Sequence, residues 1–280
     1  MKIVSLIALM MCMFSTCSRG GDPCNKKVYL TVVARDSKAH LLPKFFKCID
    51  NLNYNKKLID VQIICGNNFD NSFEIIQDWQ NNHKKKYHQI QIDLLSSSNP
   101  EGEPFSIDRK FKQMRNESLK QAKESNCEYY FVLDANNFVA PWTLKTLIEK
   151  DKPIIAPLLL AIPEFYDVYS NFFGDVAENG YYQDHPNYWL ILNQVKVGTF
   201  EVPLVHCAYL IQKEYLDQLT YQDETGDYEF IVFARSARNH HIDQYICNET
   251  DFGVLVHFHQ ELSLKEQQDR LEAILTMPSL

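Results

Sequence analysis

Four apolar runs punctuate the first half of the chain, and each stops at polar or turn-forming residues. They are VYLTVVARD (Val28 to Asp36), IDVQIICG (Ile59 to Gly66), HQIQIDLL (His88 to Leu95) and YYFVL, which ends at Asp134. Their branched and aromatic composition predicts buried strands. Between them lie helix-spaced segments: PKFFKCIDNL opened by Pro43, a stretch carrying Phe73, Ile75, Ile76 and Trp79, and RKFKQMRNESLKQAKES with Phe111, Met114, Leu119 and Ala122 on its apolar side. Strands alternating with helices predict parallel β-α-β units, hence an α/β fold whose ligand site lies outside the carboxyl ends of the strands. Ser96 to Asp108 reads as a Pro/Gly/Ser-rich loop. Beyond Asp134, Pro141 opens another helix and KPIIAPLLL (Lys152 to Leu160) reads as one more strand. From Tyr169 to Gly253 the chain is dense in aromatics and short strands, with a helix-period run only at Asp227 to Asn239. HFHQELSLKEQQDRLEAI then runs as a loop into an amphipathic helix. No repeat or linker divides residues 21–280, which read as a single domain.

Composition narrows the class. The 280 residues are 45% hydrophobic and 12% aromatic, enough for a sizeable core. With 36 acidic against 28 basic residues, a net charge of -8 and no long basic run, the chain is not built to hold a nucleic-acid backbone. Residues 1–20 place one lysine before an apolar stretch from Ile3 to Phe14 and then small and polar residues, the order of a cleaved signal peptide. That stretch is short of the roughly 20 residues that span a bilayer, so stable membrane insertion is not expected. The expected place is the secretory pathway, in the endoplasmic reticulum lumen or outside the cell; a bacterial or viral source would make it the periplasm or a host lumen. Of eight cysteines, six follow the signal (Cys24, Cys48, Cys65, Cys127, Cys207 and Cys247), and none has the close spacing of a structural zinc site. Cys65 and Cys127 sit in strand-like runs as buried thiols. Asn116-Glu-Ser and Asn248-Glu-Thr match the glycosylation pattern, as a secreted chain would.

The chemistry concentrates at the tip of YYFVL, where Asp134, Asn136 and Asn137 follow one another. A carboxylate at a strand end with a second oxygen two residues on can hold a divalent cation against a diphosphate. The same residues also build turns and helix starts, and the chain from Asn137 to Trp142 leads toward a helix, so spacing alone leaves both readings open. His257 and His259 alternate and share one face of a strand, as metal ligands or as structural histidines. His240 and His241 are adjacent and read as surface residues. Asp223, Glu224, Asp227 and Glu229 precede an apolar run: one could be a general base, or together they form a solvated loop capping a helix. A GxSxG, a P-loop and a Gly-rich dinucleotide fingerprint are all absent from the sequence.

An ordered series of segments resembles glycosyltransferase family 25, in particular the first domain of the procollagen galactosyltransferases. It runs through ARDSKAHLLP (Ala34 to Pro43), the FDNS turn around Asp70, Arg115 to Asn137, IIAPLL, YSNFF, GYY, VGTFEVPLVH, IVFARSAR, Cys247-Asn248 and His259-Gln260. The resemblance implies a GT-A-type, Rossmann-like nucleotide-sugar-binding sheet flanked by helices. It further implies an inverting transfer of galactose from UDP-galactose, with UDP-glucose the other donor considered, to collagen hydroxylysine with Mn2+ or Mg2+. In that picture Asp134, Asn136 and His259 hold the metal. Ala34, Arg35, Asp36, Asp70 and Arg115 join Asp134 around the nucleotide, and Glu229 is the base. Departures from the family pattern fall in the same site: Asn136 replaces the second aspartate of Asp-x-Asp, Gly66 an aspartate, and Tyr228-Glu229 an Asp-Asp pair. A catalytically inactive relative with a binding or adhesion role is therefore the alternative.

Overall fold

The computed structural model describes residues 25–35, 39–66, 70–95, 104–161 and 169–256, together with 263, 265, 266, 269 and 272. The first strands follow the apolar runs closely: β1 (Val28–Arg35), β2 (Ile59–Gly66), β3 (Gln89–Leu95) and β4 (Tyr129–Asp134). Helices α1 (Leu42–Asn51), α2 (Ser72–His83) and α3 (Pro104–Glu124) cross between them. Pro43 sits in the first turn of α1, where its missing N–H costs nothing. Beyond Asp134 come β5 (Asn137–Val139), α4 (Thr143–Glu149), β6 (Ile154–Pro157), β7 (Leu160–Ala161), β8 (Phe172–Phe173), β9 (Asp175–Val176), β10 (Tyr182–Gln183) and α5 (Pro186–Leu192). The last described elements are β11 (Thr199–Val202), β12 (Leu204–Val205), β13 (Ala208–Gln212), α6 (Glu229–Asn239), β14 (Gln244–Cys247) and β15 (Gly253–Leu255).

An eight-stranded sheet in the order β11-β14-β6-β13-β4-β1-β2-β3 forms the frame. Its β4-β1-β2-β3 side is parallel, as strand-helix alternation predicts. The other side is mixed: β13 runs antiparallel to both β4 and β6 and β11 antiparallel to β14, while β14 is parallel to β6. Alternation along the central strands separates two cores. Val28, Leu30, Val32 and Ala34 face α1 and α2, while Tyr29, Thr31 and Val33 turn to the α3 side. There the interior is partly polar. Ser118 of α3 bonds the hydroxyls of Thr31 and Tyr130 and the amide oxygen of Gln62, so a satisfied buried network locks α3 in register over the sheet.

Several local expectations change. Asn137 enters strand β5 rather than capping a helix, and the helix begins at Thr143, not Pro141. KPIIAPLLL splits into β6 and β7, which belong to different sheets. Helix α5 was not foreseen, because seven residues are too few to show a period. Helix α3 starts at Pro104, inside the stretch read as loop. A three-stranded sheet, β5-β15-β7, lies directly after the tip of β4. Gly253 makes it possible: its φ is +119°, and a Cβ there would stand 2.0 Å from the Phe138 carbonyl oxygen.

The two glycosylation patterns fare differently in the fold. Asn248 is 1% exposed; its amide nitrogen donates to the Ile191 and Lys196 carbonyls, and its oxygen accepts from the Gly198 N–H. Asn116 accepts from the Tyr221 N–H at 2.7 Å, which ties α3 to the segment before α6. The buried, fully engaged Asn248 side chain is closed to a glycan, whereas Asn116 is partly buried with its amide oxygen engaged. Among the described residues Cys48, Cys65, Cys127, Cys207 and Cys247 are free thiols, and no helix is long and apolar enough to cross a membrane.

Candidate active site

The carboxyl ends of β4, β1, β2 and β3 form a ledge. Asp134 pairs in register with Val33, Arg35 with Gly66, and Gly66 with Leu95. Asp134 is held at three atoms. Its N–H donates to the Cys207 carbonyl at 2.9 Å, its own carbonyl accepts from the Asn137 side chain at 3.1 Å, and its Oδ1 accepts from Arg115 at 3.0 Å. Asn137 is fully buried and also donates to the Cys207 carbonyl at 3.3 Å, so it acts as a brace for the turn, not as a ligand. Cys207 adopts a left-handed backbone, φ +64°, to present that carbonyl, a conformation costly for a residue with a Cβ and frequent at functional sites.

Arg115, from α3, is 4% exposed. Its guanidinium lies 4.9 Å from the centre of the Phe111 ring and 5.2 Å from that of Tyr221. Burial opposes its charge, but Asp134 and its other neighbours outweigh burial and hold the group protonated more firmly than a free arginine. Glu229, the first residue of α6, lies 3.9 Å from Arg115 and 3.7 Å from Arg35. Arg35 in turn stacks on Phe111 at 4.0 Å. Strands β1 and β4 and helices α3 and α6 thus bring two arginines and two carboxylates around one phenylalanine.

Of the residues expected around the nucleotide and metal, Arg35, Arg115, Asp134 and Glu229 converge on this cluster. Ala34 is buried in β1 beneath it. Asp70 does not join: its Oδ1 accepts from the N–H and hydroxyl of Ser72 and its Oδ2 from the Ala39 N–H, so it builds the entry to α2. Asn136 donates its amide nitrogen to the Val256 carbonyl at 2.9 Å, which leaves the amide oxygen as its ligating atom. Asp36, His257 and His259 lie outside the described residues. Among the described residues no group of three or more His, Cys, Asp or Glu could hold a metal. What they offer a cation is one carboxylate and one amide oxygen, hard donors that suit Mn2+ or Mg2+ as part of a coordination shell.

Four residues of the cluster lay hidden in the sequence. Phe111 reads as an ordinary helix contact, and Tyr221 and Cys207 carry no local signal. His206 stands beside them, 3% exposed, with Nδ1 at 2.8 Å from the Cys207 sulfur and the Phe230 ring at 5.2 Å. Burial pushes its pKa down to about 4, against the opposing effect of Glu229, so it is neutral near pH 7.

Comparison with known proteins places this geometry. Residues 25–275 match the N-terminal domain of glycosyltransferase family 25. The chain belongs to that family. It is 34% identical over 245 residues to procollagen galactosyltransferase 2 of Homo sapiens, covering 81% of this chain and 38% of the human protein. A family 25 member from Anopheles gambiae is 32% identical over 247 residues, covering 82% of this chain and 41% of its own. The chain therefore spans about two fifths of the length of these curated relatives. Among solved structures, S. aureus TarS 1-349 in complex with UDP-GlcNAc superimposes with a TM-score of 0.56 at 13% identity, covering 84% of this chain and 60% of that one. A mannosyltransferase from Pyrobaculum calidifontis in complex with GDP-Man and Mn2+ gives 0.53 at 14% identity, covering 91% and 64%. The α/β fold with its mixed central sheet is that of the GT-A glycosyltransferases, as the segment series implies.

Proposed function

We propose that this member of family 25 binds a UDP-hexose, galactose before glucose, at the carboxyl-end ledge and transfers the sugar with inversion to a hydroxyl acceptor such as collagen hydroxylysine. The observation that carries the reading is the buried clamp on Asp134 at the tip of β4, where an α/β sheet presents its ligand. Asp134 and Asn136 would hold Mn2+ or Mg2+, with His259 as a third ligand. When bound, the cation would supply positive charge against the negative charge of the leaving nucleoside diphosphate. The chain's own groups do the rest. Arg115 fixes the direction of the Asp134 carboxylate, Arg35 adds positive charge at the end of β1, and Glu229 receives the acceptor's proton as its oxygen attacks. Residues 1–20 direct the chain into the secretory pathway.

A second reading, a donor-binding relative without turnover, is favoured by the two-oxygen metal set and by Gly66. Calorimetric titration with UDP-galactose and UDP-glucose, with and without Mn2+, tests the first step. Binding that depends on Mn2+ and disappears in Asp134→Ala supports the donor site; absence of binding to both sugars rejects it. Product formation on a hydroxylysine peptide then separates transferase from silent relative.

A further inference from the structure

The antiparallel register of β13 and β4 pairs Ala208 with Leu133. Continued by one residue, it sets Cys207 opposite Asp134, where cross-strand side chains share a face. The backbone agrees, with the Asp134 N–H on the Cys207 carbonyl at 2.9 Å, and the Cys207 thiol lies within hydrogen-bond reach of the Asp134 carboxylate. On its other side the sulfur meets His206 Nδ1 at 2.8 Å. A thiol has one proton to place between these two neighbours. An ionised carboxylate can only accept, so the S–H goes to Asp134 and the sulfur accepts from His206. That arrangement requires the neutral imidazole to carry its single proton on Nδ1. A second observation points the same way. Nε2 is buried without a hydrogen-bond partner among the described residues, so a proton there would have nothing to bond, whereas on Nδ1 it has the sulfur. The Ser170 carbonyl adds to the pull on the ring proton. The rings of Phe230, Tyr169 and Phe173, centred 5.2, 5.9 and 6.0 Å away, enclose the imidazole.

Building on the nucleotide-donor reading above, we propose that His206 and Cys207 are a positioning pair for the metal-binding carboxylate: His206 Nδ1–H orients the thiol, and the thiol with Arg115 fixes the rotation of Asp134 before the cation arrives. Groups that hold a ligand from behind in this way change metal affinity by about 10- to 100-fold when removed.

The test is titration of the full chain with Mn2+ in the presence of UDP, read from the electron paramagnetic resonance signal of free Mn2+. Cys207→Ala and His206→Leu are each expected to weaken Mn2+ binding by about tenfold. Cys207→Ser keeps a hydroxyl donor, and His206→Asn places an amide N–H near the position of Nδ1–H, so both stay within about threefold of wild type. Because His206 acts through the thiol, Cys207→Ala combined with His206→Leu binds no more weakly than Cys207→Ala alone. Additive losses overturn the proposal, as does a cooperatively unfolding Cys207→Ala variant that keeps wild-type affinity. Nitrogen-15 NMR of the metal-free wild type at pH 7 reads the ring proton directly and depends on neither the folding of a variant nor metal binding. Neutral His206 protonated at Nδ1 is expected; protonation at Nε2 overturns the arrangement. A wild type that binds no Mn2+ defeats the nucleotide-donor reading and with it the role toward the metal, an outcome distinct from a misplaced proton.

Discussion

Two arginines in this molecule each hold two carboxylates. Arg235, on α6, bonds Asp223 at 2.8 Å and also Asp227, with all three side chains about a quarter exposed. Arg115 holds Asp134 at 3.0 Å and Glu229 at 3.9 Å, looser on paper, yet its own side chain is 5% exposed. The difference is the solvent around them. At the surface, water screens the attraction and competes for the same hydrogen bonds, so even a short pair contributes little. In the inner cluster, the arginine and Glu229 have lost most of their water while Asp134 keeps part of its own, and removing the arginine leaves both carboxylates without compensation. Distance ranks the two clusters one way and energy the other. The exposed cluster clips a loop to a helix, whereas the buried one stores oriented charge at the ledge where a ligand is expected.

The largest break in that contrast is Arg115→Met. It keeps the volume between Phe111 and Tyr221 but strands Asp134 and Glu229, and a loss of about 3–5 kcal/mol is expected in urea unfolding. A loss below 1 kcal/mol would put the two clusters in the same class.

Acid gives the next largest effect. His206 has its folded pKa lowered from the ordinary 6.5 to about 4, so between those values the unfolded chain takes up a proton that the folded chain refuses. Stability due to this group is therefore full above about pH 6.5 and declines as pH falls toward 4, by about 3 kcal/mol in total. The exposed acids behave differently. Hydrogen bonds from Arg235 hold Asp227 below the usual carboxylate range, and those from Thr225 and Arg235 outweigh burial to do the same for Asp223. Their contribution persists until the pH falls below about 4. Unfolding curves of the wild type and His206→Gln from pH 7 to 4 should converge as the wild type loses its advantage; parallel curves would remove His206 from the account.

The smallest effect belongs to Arg235→Ala, expected to cost under about 1 kcal/mol and to shrink further in added salt. Nucleotide binding by that variant should match wild type in the same titration that Asp134→Ala abolishes. A Arg235→Ala variant that lost binding would show that the acidic loop reaches the ledge.

Legibility in the sequence followed the length over which a signal repeats. β1, β2 and β4 are buried on both faces, so their apolar runs are continuous and their ends fall within a residue or two of the expected positions. Short elements escaped: α5 has seven residues, and β5 hides in a stretch that also suits a turn. The site divided in the same way. Asp134 and Asn136 could be read because a strand end followed by clustered oxygens is a local pattern. Phe111, Tyr221, Cys207 and His206 could not, since each is an ordinary residue in its own segment. Asp70 shows the limit of such patterns: the structure uses it to build the entry to α2, because a carboxylate that suits a ligand equally suits two backbone N–H groups beside it.

By itself, then, the sequence determined the strand-helix alternation, the placing of Asp134 at a carboxyl end and the family to which the chain belongs, since these rest on periodicity and on the order of segments along one chain. Only the tertiary structure decided that β13 and β11 run against the other six strands of the main sheet, that Arg115 joins Glu229 to Asp134, that the Asn248 glycosylation pattern is buried and that Leu95 closes the space at Gly66. Those outcomes depend on which residues far apart in the chain come within a few ångströms, and on how much water remains between them, neither of which any single segment encodes.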